Sequence, residues 1–429
     1  MTDGSAQRLV QRYQSVRERT EQLAAPLSDE DQQVQSMPAC SPTKWHRAHT
    51  TWFFETFLLA PRGVPAFDPR FGSIFNSYYN TLGTPFARAA RGLLTRPTAR
   101  EIGAYRRSVD GRMIEALLSL SPPELAEVLP LVELGLAHEE QHQELLLTDI
   151  LHAFAQNPLA PVYRSLAARA DTRPDGATPS SARQALEFHR YDGGLVECGG
   201  RGECFAFDNE QPRHRVYLEP FALASRLVTW AELSAFVTEQ GYRTPSLWLA
   251  DGWDFVRSEG LCAPLYSRLE GGEWRVFSLR GERTPSPDEP VAHLSYYEAD
   301  AVARFLGARL PSESEWEHVA ARASVEGHFL EAGELHPLPA PRSSGPSPAQ
   351  LFGDVWEWTA SAYQPYPGYR PGVGALGEYN GKFMSGQQVL RGGSCFTPAG
   401  HVSASYRNFW QPGTRFQMAG ARLARDARL

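Results

Sequence analysis

The sequence predicts an α+β protein in two parts: an N-terminal four-helix bundle followed by a loop-rich mixed domain. Three observations predict it. Apolar residues recur with a 3.6-residue period from about residue 5 to 165, and a Pro/Gly/Ser/Thr-rich stretch then breaks that period. Beyond the break, short strand-like segments alternate with Gly- and Pro-bearing loops rich in aromatics. A chain of 429 residues also exceeds what one compact core holds.

The helical stretches are 9–27 (LVQRYQSVRERTEQLAAPL), 44–61 (KWHRAHTTWFFETFLLAP), 99–120 (AREIGAYRRSVDGRMIEALLSL) and 122–155, which contains HEEQHQELLLTDI. The last begins with Pro122 after Ser121, a good N-terminus, and stays apolar along one side through Leu147. Residues 1–165 are therefore read as the bundle, 166–186 as a linker and 187–429 as the second domain. In that domain 214–224, 274–279, 387–394 and 420–426 have strand character, and 230–240 and 296–307 read as helices. The stretch 336–350 reads as a surface loop.

With 42% hydrophobic and 21% charged residues, the composition is that of a globular protein. A net charge of −7 gives no basic field for a phosphate backbone or anionic lipid, so neither nucleic acid nor membrane is expected as a partner, and no obligate protein partner is evident. No apolar run approaches the roughly 20 residues that cross a bilayer, and the start of the chain has no apolar signal core, so a cytoplasmic protein is expected. Five scattered cysteines argue for reduced thiols.

The chemistry concentrates on two helices. His138 and His142 stand four apart, so both imidazoles share a helix face and reach one ion. The segment also fits HExxH, and its first reading is a zinc hydrolase with Glu139 as general base. Against that, the 44–61 helix carries His46 and His49 in an otherwise apolar, aromatic setting. Either one, facing the bundle core, would complete a three-histidine face with an open opposite side. Such a site suits a redox-active ion such as Fe(II) better than closed structural zinc. Nearby, Phe75–Asn80 offers Tyr78 and Tyr79 as proton donors, and one of Arg88, Arg91, Arg96 and Arg100, turned inward, would clamp a substrate carboxylate; Arg91 is assigned that role.

These segments resemble a known family. WHRAHTTWFFE, FNSYYN, RGLLTRPT and HEEQHQELLLTDI are similar to the DinB-like half of the ergothioneine-biosynthesis sulfoxide synthases. PRHRVYLEPFALA, VAHLSYYEADAVARFLGARLPSESEWE, LFGDVWEWTAS, VLRGGS and YRNFW resemble their formylglycine-generating-enzyme-like domain. The resemblance implies a nonheme Fe(II) enzyme that uses O2 to join a thiol sulfur to C2 of the imidazole of hercynine (Nα-trimethylhistidine). It implies His49, His138 and His142 as ligands, with His46 outside the triad, and Gln141 and Asn408 as contacts to the histidine substrate. Tyr363 and Tyr366 resemble aromatic residues lining that pocket, and with Trp410 and Asn408 they are expected to receive the trimethylammonium group; Tyr78 and Tyr79 match a tyrosine pair that one branch places near the iron.

The implied sulfur donor is cysteine or γ-glutamylcysteine. The γ-glutamylcysteine-using relatives carry an acidic residue two positions after the asparagine matched by Asn408, where this chain has Trp410. The selenoneine synthase branch, with a selenosugar donor, is accordingly the main alternative. Lesser ones are an ovothiol-type histidine sulfoxide synthase, the zinc hydrolase and a non-catalytic binding module.

Overall fold

The computed structural model describes residues 4–165, 185–202, 205–341 and 347–427. The chain forms two compact units that are not contiguous in sequence. One comprises Met1–Pro158, Gly202–Phe207 and Pro371–Gly381; the other comprises Leu159–Arg201, Asp208–Arg370 and Lys382–Leu429. The second part of the sequence thus returns two short segments to the helical unit, which no local periodicity announces. Most of the expected linker, 166–184, lies outside the described residues, as does 342–346 of the expected surface loop.

The helical unit is built on α1 (Gly4–Ala24), α2 (Thr43–Phe54), α3 (Ala99–Ser119) and α4 (Pro122–Ala155). The starts of α3 and α4 follow from their caps. Thr98 and Glu101 exchange side-chain and backbone hydrogen bonds, and Ser121 does the same with Glu124, so amide donors that a helix start leaves open are satisfied. The α-helix at 44–61 ends earlier than its apolar period suggests: after Phe54 it widens into a π-helical turn, Glu55–Leu59.

Tyr13, Phe53, Phe54, Val109, Val132, Leu136 and Leu146 are buried in the bundle. Gly135 lets α4 lie close to α2, since a Cβ there would fall 2.7 Å from Phe54 Cε1 and 2.9 Å from Phe53 Cε1. The contact lies one turn before His138.

The second unit holds small sheets joined by loops and short helices. Phe221–Leu227 pairs antiparallel with Phe188–Tyr191 and Arg422–Asp426. A four-stranded sheet runs in the order Asn408–Trp410, Gln388–Arg391, Trp356–Ala362, Ala419–Gly420. The segment expected as a strand at 214–224 divides at Glu219–Pro220 into His214–Leu218 and Phe221–Leu227, because proline has no N–H for a ladder. Trp316, Trp356 and Trp358 fill the core, where the buried guanidiniums of Arg391 and Arg422 pair with Glu313, Glu317 and Glu357. No helix among the described residues is long and apolar enough to cross a membrane.

Candidate metal centre

Helix α2 supplies three stacked rings on one face. Trp45, His49 and Trp52 follow at i, i+4 and i+7; Trp45 and His49 have centroids 4.6 Å apart, His49 and Trp52 5.7 Å, each pair tilted by 14°. Helix α4 faces them with His138 and His142, whose ring centroids lie 4.6 Å apart. One ligand-capable nitrogen from each of His49, His138 and His142 falls within 4.8 Å of the others.

The hydrogen bonding fits a metal site. His49 Nδ1 lies 2.6 Å from the Phe75 carbonyl oxygen, which can only accept, so Nδ1 carries the proton and Nε2 keeps its lone pair. That Nε2 is buried without a partner, as are both nitrogens of His138. Orphaned buried imidazoles are costly unless something outside the protein satisfies them. Burial pulls the pKa of His138 down to about 3, and that of His49 and His142 well below the usual histidine range, so all three are neutral at pH 7. Neutral imidazoles with converging lone pairs are ligands for a divalent transition metal.

Glu139 overturns the zinc hydrolase reading. One residue on from His138 it points about 100° around the helix, into a buried polar cluster. Its carboxylate accepts from Arg17 at 2.7 Å, Arg106 at 2.8 Å and Thr20 at 2.6 Å. Burial alone would raise its pKa, but the two guanidiniums hold it down to about 2. A carboxylate so engaged is no general base for a water at the histidines.

His46 is buried beside the triad. Its Nε2 lies 3.0 Å from Asp149 Oδ2 and its Nδ1 2.8 Å from Nδ1 of His142.

The Phe75–Asn80 loop is held by Asn76, whose side chain donates to the Tyr79 carbonyl and accepts from the Tyr79 amide. Tyr79 is buried against Trp52 and Phe57, and Tyr78 lies against Tyr79, centroids 4.7 Å apart. Burial, reinforced by the neighbouring phenols, raises the Tyr79 pKa well above 10, so it stays a phenol.

Arg91 is buried with its guanidinium 3.4 Å from the Trp45 ring centre, donating to Ser41 and Ser77. Among the described residues no carboxylate pairs with it, and burial draws its pKa down to about 9.

One residue of the site has no counterpart in the sequence reading. Tyr379, on the returning segment Pro371–Gly381, donates its hydroxyl to Gln141 Oε1. Its ring lies 5.6 Å from that of His138 and 6.1 Å from that of Tyr78, and Phe207 of the other returning segment stacks on it at 5.6 Å. The preceding residue, Glu378, accepts from the amides of Asn80 and Thr81 and from the Thr81 hydroxyl, tying this segment to the tyrosine loop.

Tyr363, Tyr366, Asn408 and Trp410 belong to the second unit. Tyr363 stacks on Phe409 at 4.0 Å and its hydroxyl accepts from Asn209. Tyr366 has the Arg407 guanidinium 4.1 Å from its ring centre and accepts from Arg391. Both rings are buried against side chains of their own unit, so neither presents an open face to a trimethylammonium group. Asn408 and Trp410 are half-buried on one strand, with Trp410 packed edge-on against Phe416.

The halves match known families separately. Residues 12–146 match the DinB superfamily, and residues 176–343 and 342–427 match the sulfatase-modifying factor enzyme 1-like domain. Over 93% of its length the chain is 32% identical to hercynine oxygenase of Mycolicibacterium thermoresistibile, covering 91% of that protein. The chain belongs to the hercynine oxygenase family. A second hercynine oxygenase, from Mycolicibacterium smegmatis, is 30% identical over 96% of both chains. The formylglycine-generating enzyme of Streptomyces coelicolor is 30% identical over 62% of this chain and 96% of its own, a match too short to span both halves. As a member of the hercynine oxygenase family the chain is an oxidoreductase-type enzyme, and its histidine triad is compatible with metal binding.

Proposed function

We propose that the chain is a nonheme Fe(II)- and O2-dependent enzyme that joins a chalcogen to C2 of the imidazole of hercynine. The donor is cysteine or γ-glutamylcysteine and the product a sulfoxide on the route to ergothioneine. The observation that carries this reading is the convergence of three neutral imidazoles on two facing helices, two of which, His49 and His138, are buried with unpartnered nitrogens. His49, His138 and His142 would hold the metal through neutral nitrogens. The ion, when bound, supplies a common centre for thiol and dioxygen and takes part in the electron transfer between them.

The surrounding residues bind, orient and hold protons. Gln141 is the proposed hercynine contact of the helical unit. Gln141 also receives the Tyr379 hydroxyl, which keeps that phenol beside His138. Burial keeps the Tyr79 phenol protonated at neutral pH, and with Tyr78 and Tyr379 beside it the site has three phenols from which oxygen chemistry can draw a proton. Arg91, buried without an ionic partner among the described residues, is completed by a substrate carboxylate. The second reading, a selenosugar donor, rests on Trp410, which leaves no carboxylate at that position to meet a glutamyl amine. An unpaired buried cation favours the carboxylate-bearing thiol.

The experiment is a donor panel. Fe(II)-loaded protein is incubated under air with hercynine and, separately, cysteine, γ-glutamylcysteine or a selenosugar, and products are read by mass spectrometry. A hercynine–cysteine-type sulfoxide is expected. A selenium adduct alone selects the second reading, and no hercynine-dependent product with any donor overturns both.

A further inference from the structure

His46 is the imidazole at the centre that the triad does not use, and both of its nitrogens are engaged. On one side Nε2 lies 3.0 Å from Asp149 Oδ2; on the other Nδ1 lies 2.8 Å from Nδ1 of His142. Asp149 is itself fixed, because the Ser41 amide donates to the same oxygen at 2.7 Å. Asp149 and His46 are both buried, so water does not compete for these contacts.

For neutral rings the hydrogen-bonding rules leave one arrangement. A carboxylate only accepts, so Nε2 of His46 carries the proton. A neutral imidazole has one N–H, which makes Nδ1 of His46 a lone pair. The nitrogen facing it 2.8 Å away must then donate, so His142 is protonated on Nδ1 and its lone pair sits on Nε2. His49 reaches the same state by another route, its Nδ1–H spent on the Phe75 carbonyl. His138 has no hydrogen-bond partner on either nitrogen. Two of the three imidazoles are therefore oriented from behind, one by backbone and one by a carboxylate–imidazole chain.

We propose that His46 and Asp149 form a positioning pair that sets the tautomer and ring orientation of His142, so that His142 presents Nε2 as a metal ligand. The inference rests on the metal reading above. Its chemistry is that of outer partners of metal-bound histidines, which fix the ring and raise its basicity; here the carboxylate acts through an intervening imidazole. Spacing on α4 supports the pairing: Asp149 follows His142 by seven residues, two turns along the same face.

The test reads the tautomer directly. In the zinc-loaded full-length protein, labelled with 15N at histidine, NMR is expected to show His142 protonated at Nδ1 and coordinated through Nε2. Protonation at Nε2 with coordination through Nδ1 would overturn the proposal without any variant being made. Cobalt(II) titration by visible absorption then compares Asp149→Asn and His46→Gln with the wild-type protein. Both are expected to bind about 10- to 100-fold more weakly with an altered ligand-field spectrum. If both keep wild-type affinity and spectrum, the pair is packing only and the inference fails while the metal reading stands. If the wild-type protein takes up neither zinc nor cobalt, the metal reading fails and the inference with it.

Discussion

Tyr379 and Gln141 stand 238 positions apart in the chain, yet the phenol of one donates to the side-chain oxygen of the other. This bond places a tyrosine from a returning segment over His138, in a wall that the four helices alone do not build. Replacing Tyr379 by Phe keeps the ring and removes the proton. The rate of hercynine-dependent product formation is expected to fall by about 100-fold, the low end for loss of a positioned acid. Metal stoichiometry should not change. Equal rates for variant and wild type, followed by mass spectrometry, would reduce Tyr379 to a packing role.

Glu139→Gln separates structure from catalysis in the HEEQH segment. The variant leaves Arg17 and Arg106 facing a neutral amide in the bundle interior. Breaking a buried pair in this way costs about 3–5 kcal/mol of stability. Chemical denaturation is expected to show the loss, while the folded fraction keeps its metal. A stable variant devoid of activity would restore Glu139 as a base.

Acid should weaken the metal-free protein in two windows. His138 has a pKa lowered by burial to about 3, against about 6.5 in an unfolded chain. Below 6.5 the unfolded state takes up a proton that the native ring refuses, so stability falls as pH drops from 6.5 towards 3. Glu139, held at about 2 against about 4.3 unfolded, adds a second loss as pH falls from 4.3 towards 2. Denaturation midpoints between pH 6 and 4 are expected to slope less in His138→Gln than in the wild-type protein.

Gly135→Ala improves helix propensity and should nevertheless destabilise. Its methyl would meet Phe53 and Phe54 at under 3.0 Å, pushing α2 away from α4 one turn from the triad. A cost of about 1–3 kcal/mol is expected from overpacking, together with weaker cobalt binding. A gain in melting temperature with unchanged metal affinity would show that the helices can part freely.

The helical unit was legible in the sequence because its signals are local. A 3.6-residue period, two capping boxes and an i,i+4 histidine pair each lie within one segment. Spacing left His46 and His49 undivided, since both lie on α2 and the choice depends on what faces each ring. The structure gives His49 an unpartnered Nε2 and His46 two partners. Asp149 could have been found from its two-turn offset from His142. Tyr379 could not: it sits in LGEYNGKF, a stretch without periodicity, and its relation to His138 exists only through tertiary structure. Tyr363 and Tyr366 show the converse. They are named through the family resemblance and not by any local signal, and Phe409, Arg407 and Arg391 of their own unit engage them.

The three-piece composition of the helical unit bears on the order of biosynthesis. When a ribosome has released only Met1–Pro158, all three histidines have emerged, but Phe207 and Tyr379 have not. A nascent bundle that captured a metal at that stage would expose it without the phenol at His138. The wall is completed only after Gly381 leaves the exit tunnel, which joins maturation of the centre to translation of both returning segments.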